Sequence, residues 1–320
     1  MYLQEWPLTL FTILSQMAVG AFIVLGLIQT IARLRYSGSV NTEVKKQALE
    51  RVSDSALYAI GPIMVAAFFA AFFHLGNPMN GFNVLRGVGH SPLAQEVVMG
   101  AGFAVLGFAF AACQWFHWGT PSWRFVLAII TALWGLVFVW SMARLYMLPT
   151  IPHWNHWTTP AQFYVTRFLT GALAIGTALA WFPKLRDKAW LNKLMPANRQ
   201  PADMTTEHID QVNTLVYKAL KGIGVMAVLL LPVELFMIIF AYIRPESVNP
   251  AVFEFPTAWF VIRLILLIVG AGLMGLFLAR AKLEHMNFLL TLVMTSYILV
   301  TISEIIGRFI FYGGMDRIGI

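Results

Sequence analysis

Residues 72–96 read FFHLGNPMNGFNVLRGVGHSPLAQE, a turn rich in Gly, Pro and Asn between two long apolar runs. His74 stands where the first run ends and Glu96 where the second begins, 22 positions later. A connection this short keeps both helix ends on one side of whatever layer the runs cross. It therefore sets an imidazole and a carboxylate at one rim of an apolar slab. The flanking runs decide what that slab is.

Outward from this turn, the same pattern of apolar run and short break recurs along the sequence. Of 320 residues, 59% are hydrophobic and 12% charged, about half the charge of an ordinary soluble domain. The runs are roughly 20 residues long, the length of a bilayer-crossing helix. They also lack the charged face at a period of 3.6 that a soluble helix presents. The protein is thus read as an all-α polytopic membrane bundle, one domain over 1–320. Its eight transmembrane helices are expected near 8–32, 55–76, 93–116, 125–147, 161–183, 222–244, 258–280 and 287–311. Helix-breaking residues mark the cuts: Gly76-Asn77-Pro78, Ser91-Pro92, Pro149 to Pro152, Pro160, Pro183 and Pro245 to Pro256. The charged segment 184–221 is expected to carry a surface helix.

A net charge of +7 raises nucleic acid as a partner, but the basic residues are dispersed through loops between spans, where they set orientation instead. Fifteen Lys and Arg fall in loops on one side and three (Arg86, Arg244 and Arg317) on the other. Cytoplasmic loops hold the basic excess, so both termini and the His74–Glu96 turn are expected outside. The single cysteine, Cys113, lies within an apolar run, so no disulfide framework or Cys-ligated iron–sulfur cluster is built from this sequence alone. The start, MYLQEWPL, lacks the basic n-region of a cleaved signal peptide, and the first span is expected to persist in the mature protein.

Four arginines fall within spans: Arg144, Arg167, Arg263 and Arg308, each near the outer end of its helix. With Glu304, His74 and Glu96 they place ionisable groups in the outer half of the layer, where the inner half holds almost none. Such groups are costly in a membrane and face the bundle interior or a wet cavity. Each also has an ordinary structural reading. Glu96 stands in a first helical turn, where the dipole favours a carboxylate, and His74 sits at headgroup depth. Glu304 and Arg308, four residues apart, read as an intrahelical ion pair. Arg144 and Arg263 either line a site or extend to the outer headgroups. Glu234, two residues after Pro232, either bonds backbone freed at a kink or is an acid beside a cavity. The loop His153-Trp154-Asn155-His156-Trp157 reads as interfacial aromatic belt or as the roof of a pocket. Gly270, Gly272 and Gly275 read as close helix packing. Of seven histidines only His74 is on a span, which leaves no pair for a haem inside the membrane. No run of carboxylates reaches the inner surface for a midplane transporter site.

Several stretches taken together resemble the DmsC family, membrane anchor subunits of anaerobic dimethyl sulfoxide reductases. They are EWPLTLFT at the start, FFHLGNPMNGFNVL followed by Glu96, VFVWSMARLY at 137–146, the Trp154 to Pro160 loop, and SEIIGRFIFYG at 303–313. They occur in the same order over most of the sequence, whereas Arg167 and the 184–221 segment fall outside the family pattern. The resemblance implies a protein of the bacterial inner membrane that holds an iron–sulfur subunit and a molybdopterin catalytic subunit at the outer, periplasmic face. Menaquinol is the implied substrate, with no haem or iron–sulfur cluster in this chain. His74 and Glu96 map onto the histidine and glutamate tied to quinol binding and oxidation. Arg144, Arg263, Glu304 and Arg308 lie in family-like stretches and are given a supporting role. Three other readings stand beside this one: a purely structural anchor without a quinol site, a polysulfide-reductase-type anchor, and a haem-bearing quinol oxidase subunit.

Overall fold

The computed structural model describes residues 5–36, 42–74, 78–186, 206–243, 257–280 and 286–314. Among these residues its regular structure is all helix, with eight helices long and apolar enough to cross a membrane. They are α1 (Trp6–Tyr36), α2 (Thr42–His74), α3 (Pro92–Trp115), α4 (Pro121–Tyr146), α5 (Thr158–Arg186), α6 (Thr206–Ile243), α7 (Thr257–Arg280) and α8 (Met286–Gly313). A 3-10 helix, Pro78–Gly87, occupies most of the turn between α2 and α3. Successive spans run in opposite directions. One end of the bundle therefore gathers His74, Glu96, Tyr146 and Tyr312. The other, the basic end, gathers Arg33, Arg35, Lys45, Arg124 and Lys218.

The starts of α3 and α4 follow from local chemistry. Ser91 caps α3 by accepting from the Ala94 amide at 3.4 Å, and Thr120 caps α4 by accepting from the Trp123 amide at 3.2 Å. In both helices a proline follows the cap, at a position whose missing N–H has no intrahelical partner to lose. The Gln95 side-chain amide also donates to the Val88 carbonyl at 3.1 Å, tying the turn to the first turn of α3.

Two helices extend well beyond the spans read from hydropathy. α2 begins at Thr42 rather than near 55, and α6 at Thr206 rather than near 222. The expected surface helix within 184–221 is instead, from Thr206 onward, the first part of α6, while 187–205 lies outside the described residues. Hydropathy locates the part of a helix that sits in hydrocarbon. Backbone hydrogen bonding continues past it wherever apolar residues still find a neighbour. Leu49 and Val52 of α2 and Val212, Leu215 and Val216 of α6 are all buried.

α1 is the most central element, packed against α2, α4 and α5. Its closest approach is to α5, where Gly20 meets the Arg167 carbonyl and Gly171 meets the Gly20 backbone. Neither position has room for a Cβ, so the two backbones cross as glycine-mediated membrane helices do. Gly20→Ala is expected to cost about 1–3 kcal/mol through overpacking, read as a lowered unfolding midpoint in detergent. Gly61→Ala on α2, where an added Cβ meets nothing within 4 Å, is the control and is expected to lose nothing. Of the three span-seven glycines, Gly270 lies against Val300 and Leu299 of α8 and Gly275 against Val228 of α6. Gly272 has open space at its Cβ position, so close packing holds for two of the three.

Candidate functional site

Glu96 is the fifth residue of α3, and only 6% of its surface is exposed. It lies within electrostatic range of two tyrosine hydroxyls, Tyr146 at the end of α4 and Tyr312 at the end of α8. Those hydroxyls are 3.1 Å apart, and Tyr312 Oη is 2.7 Å from Thr12 Oγ1 on α1. Thr12 donates its one hydroxyl proton to the Leu8 carbonyl at 2.7 Å. Tyr312 must therefore donate to Thr12, and Tyr146 must donate to Tyr312. The hydroxyl relay has a fixed direction.

Trp154 closes this end. It is buried, its indole N–H donates to the Phe311 carbonyl at 2.7 Å, and its ring stacks on Phe311 with centroids 5.4 Å apart. Tyr146 meets it edge-on at 5.3 Å. Trp154 is thus a roof over the tyrosine pair and not part of an interfacial belt, whereas Trp157 remains exposed as a belt residue does.

Below the tyrosines, α8 carries a polar side chain every four residues along one face: Tyr312, Arg308 and Glu304. The expected ion pair between Glu304 and Arg308 does not form. Arg308 Nη2 instead donates to Gln16 Oε1 on α1 at 3.2 Å, and its guanidinium lies 3.9 Å above the Phe163 ring centroid. Glu304 Oε2 accepts from Thr166 Oγ1 at 2.8 Å and lies 3.8 Å from Arg263 Nη2. The same Nη2 is 3.5 Å from Glu234 Oε1. Arg263 is therefore buried between two carboxylates and does not reach for headgroups. Gly307 makes this possible, because a Cβ there would collide with the Arg263 guanidinium. Glu234 is fully buried and answers to this arginine. Partners alone do not saturate the group: Gln16 Nε2, Glu234 Oε2, Glu304 Oε1 and Arg263 Nε have no hydrogen-bond partner among the described residues.

A polar ladder thus descends from Glu96 through Tyr146 and Tyr312 to Arg308, Glu304, Arg263 and Glu234, built on α3, α4, α6, α7 and α8 with support from α1 and α5. Three of the sequence-derived site residues besides Glu96 belong to it: Arg263, Glu304 and Arg308. Arg144 does not, being exposed and donating to Gln95 Oε1 at 3.4 Å. His74 closes α2 as expected, but its side chain lies outside the described residues. Arg167 is fully buried with its guanidinium 4.0 Å from the Tyr164 ring and 4.4 Å from that of Phe168.

The basic half of the bundle is less empty of ionisable groups than the sequence suggests. Asp54, buried in α2, accepts from Gln114 Nε2 at 2.8 Å and lies 3.4 Å from His117 Nε2. One turn earlier Glu50 pairs with Arg124, which also donates to the Gly119 carbonyl at 2.9 Å. A cavity of about 420 Å³ adjoins Glu50, Ser53, Gln114 and Arg124.

Comparison with known proteins assigns the assembly to a family. Residues 1–314 match the model of the family described as DMSO reductase anchor subunit (DmsC). The sequence is 28% identical over 310 residues to the YnfH subunit of an anaerobic dimethyl sulfoxide reductase of Escherichia coli K12, covering 97% of this chain and 94% of that one. It is 32% identical over 194 residues to the C subunit of anaerobic dimethyl sulfoxide reductase from the same organism, covering 60% of this chain and 63% of that relative. With the corresponding C subunit of Haemophilus influenzae it shares 33% identity over 177 residues, covering 55% of this chain and 59% of the relative. The match therefore spans less than two thirds of the length of both C subunits. With its matching family model running through all eight spans, this protein belongs to the DMSO reductase anchor subunit (DmsC) family.

Proposed function

We propose that this protein anchors a molybdenum-dependent reductase in a bacterial inner membrane and oxidises menaquinol beside Glu96. The observation that carries the reading is a carboxylate buried at one end of a membrane bundle, within electrostatic range of a hydrogen-bonded tyrosine pair that leads to a buried group of charges. Burying ionisable groups in a membrane is costly and marks a functional position.

In this reading a menaquinol headgroup enters from the membrane beneath the 77–92 turn. His74 hydrogen-bonds one ring hydroxyl, and Glu96 takes a proton from the ring. Oxidation to the quinone releases two electrons and two protons. The electrons pass to an iron–sulfur cluster on a partner subunit docked at the outer face, and from there to a molybdopterin catalytic subunit. The protons leave on the same, periplasmic side. The ladder supports the proton step by its balance of charge: among the described residues, Glu96, Glu304 and Glu234 share it with Arg263 and Arg308. A buried group of three carboxyls and two guanidiniums is neutral when it holds one proton, so it can receive one without stranding charge in a low dielectric.

Binding tests the proposal directly. The purified protein in detergent is titrated with a soluble analogue of the menaquinol headgroup, followed by the analogue's fluorescence. Saturable binding is expected, with affinity lowered about tenfold or more in Glu96→Ala through loss of a hydrogen bond to a charged group. Absence of saturable binding by the unaltered protein overturns the proposal in favour of a purely structural anchor.

A further inference from the structure

A second cavity, of about 620 Å³, lies at the opposite end of the bundle from Glu96, between α1 and α6 with the start of α2 above it. Its walls are mainly apolar, with Val24, Leu27 and Ile31 on α1 and Leu215 and Ile223 on α6, and Gln211 and Thr214 add uncharged polar groups. Leu27 and Ile31 are each 49% exposed, so the groove opens toward lipid. Its lining also carries Arg35, Lys45 and Lys218, one cation from each of the three helices, and no carboxylate lines it among the described residues.

Size and charge together specify an occupant. From Val24 to Arg35 the α1 wall is about 16 Å long at 1.5 Å per residue, close to the roughly 15 Å hydrocarbon depth of one leaflet. An acyl tail lying along it has its polar end level with the three cations. Basic pockets between membrane helices bind phosphate-bearing lipid headgroups, each Lys or Arg strengthening the attraction about fivefold. A quinone offers the same apolar tail, but its neutral ring carries no charge to complement the basic lining. We propose that this groove is a binding site for one anionic phospholipid, its phosphate held by Arg35, Lys45 and Lys218 and one acyl tail laid between α1 and α6. The site is independent of Glu96 and of the quinol reading.

The test uses the full-length protein in nanodiscs of phosphatidylcholine containing a minor share of phosphatidylglycerol, with co-purifying lipid identified by native mass spectrometry after transfer to detergent. One phosphatidylglycerol is expected to be retained per protein. The triple variant Arg35→Gln, Lys45→Gln, Lys218→Gln is expected to weaken retention about a hundredfold. Gly222→Leu leaves all three charges in place. Gly222 lines the groove, and a Cβ there meets nothing within 4 Å, so a larger side chain starts in open space and occupies the volume of the lipid tail. Retention is expected to fall in this variant too, and it serves as the test if the triple variant does not fold. Retention of phosphatidylcholine to the same degree, recovery of a quinone in place of the phospholipid, or unchanged retention in Gly222→Leu overturns the proposal.

Discussion

Glu96→Gln is expected to slow menaquinol-supported turnover of the assembled reductase by a factor of about 10²–10⁴, the usual contribution of a positioned proton acceptor. The amide has the size of the carboxyl and fits the same buried position, 6% exposed and within electrostatic range of Tyr146 and Tyr312. What it lacks is the ability to take a proton. The loss should therefore fall on kcat more than on KM, since an amide still hydrogen-bonds a ring hydroxyl. Glu96→Asp is expected to recover part of the rate. Two further measurements fix the interpretation. Activity supported by a soluble artificial donor, which delivers electrons to the partner subunits directly, should stay within about twofold of the unaltered complex. The amount of complex recovered with the membrane should not change. Full quinol-supported activity in Glu96→Gln would rule out Glu96 as the proton acceptor.

The second large effect is on stability. Arg263→Met is expected to cost about 3–5 kcal/mol, the penalty for removing one partner from a buried ionic group. Glu234 Oε1 and Glu304 Oε2 both lie within 4 Å of the same guanidinium nitrogen, at 3.5 Å and 3.8 Å. Without it, two buried carboxyls face each other across a space shaped for a cation. The combined variant Arg263→Met, Glu234→Gln, Glu304→Gln removes the charge altogether and is expected to regain most of the loss, because well-packed neutral groups replace buried ion groups at little cost. The comparison is read from unfolding midpoints in detergent across the single and combined variants. A combined variant no more stable than Arg263→Met alone would mean that shape, not charge, holds this part of the bundle.

The eight spans are legible from composition because hydrocarbon thickness dictates the length of an apolar run, and that rule needs no knowledge of packing. The same holds for Glu96, whose place at a helix start follows from Ser91 and Pro92 alone. The partners of the ladder are not legible in this way. Local spacing assigns Arg308 to Glu304, but α1 passes close enough for Gln16, 292 positions earlier, to accept from the guanidinium while Phe163 offers its ring face. Arg263 looks free to extend outward until Glu234 and Glu304 converge on it and Gly307 leaves it room. Arg144, of the same residue type, stays exposed and donates to Gln95 Oε1 instead. One signal in the sequence does point to the ladder: Glu304, Arg308 and Tyr312 repeat every fourth residue, and Thr12 and Gln16 do the same on α1, each a polar stripe on an otherwise apolar helix. Asp54 escapes a reading by hydropathy because the span boundary falls one residue after it, although α2 continues for more than two turns on its far side.

α2 and α6 are 33 and 38 residues long, about 50 and 57 Å against a hydrocarbon core of about 30 Å. Among the described residues, their excess length projects from the basic end. At the Glu96 end the backbone is fastened by the Ser91 cap, the Gln95 tie and the wedged Trp154. When lipid tails lengthen or shorten, the slack is taken up where spare helix can slide into or out of the oil. The carboxylate keeps its distance from the nearer water surface, and the far surface of the protein rises and sinks with the thickness of the bilayer.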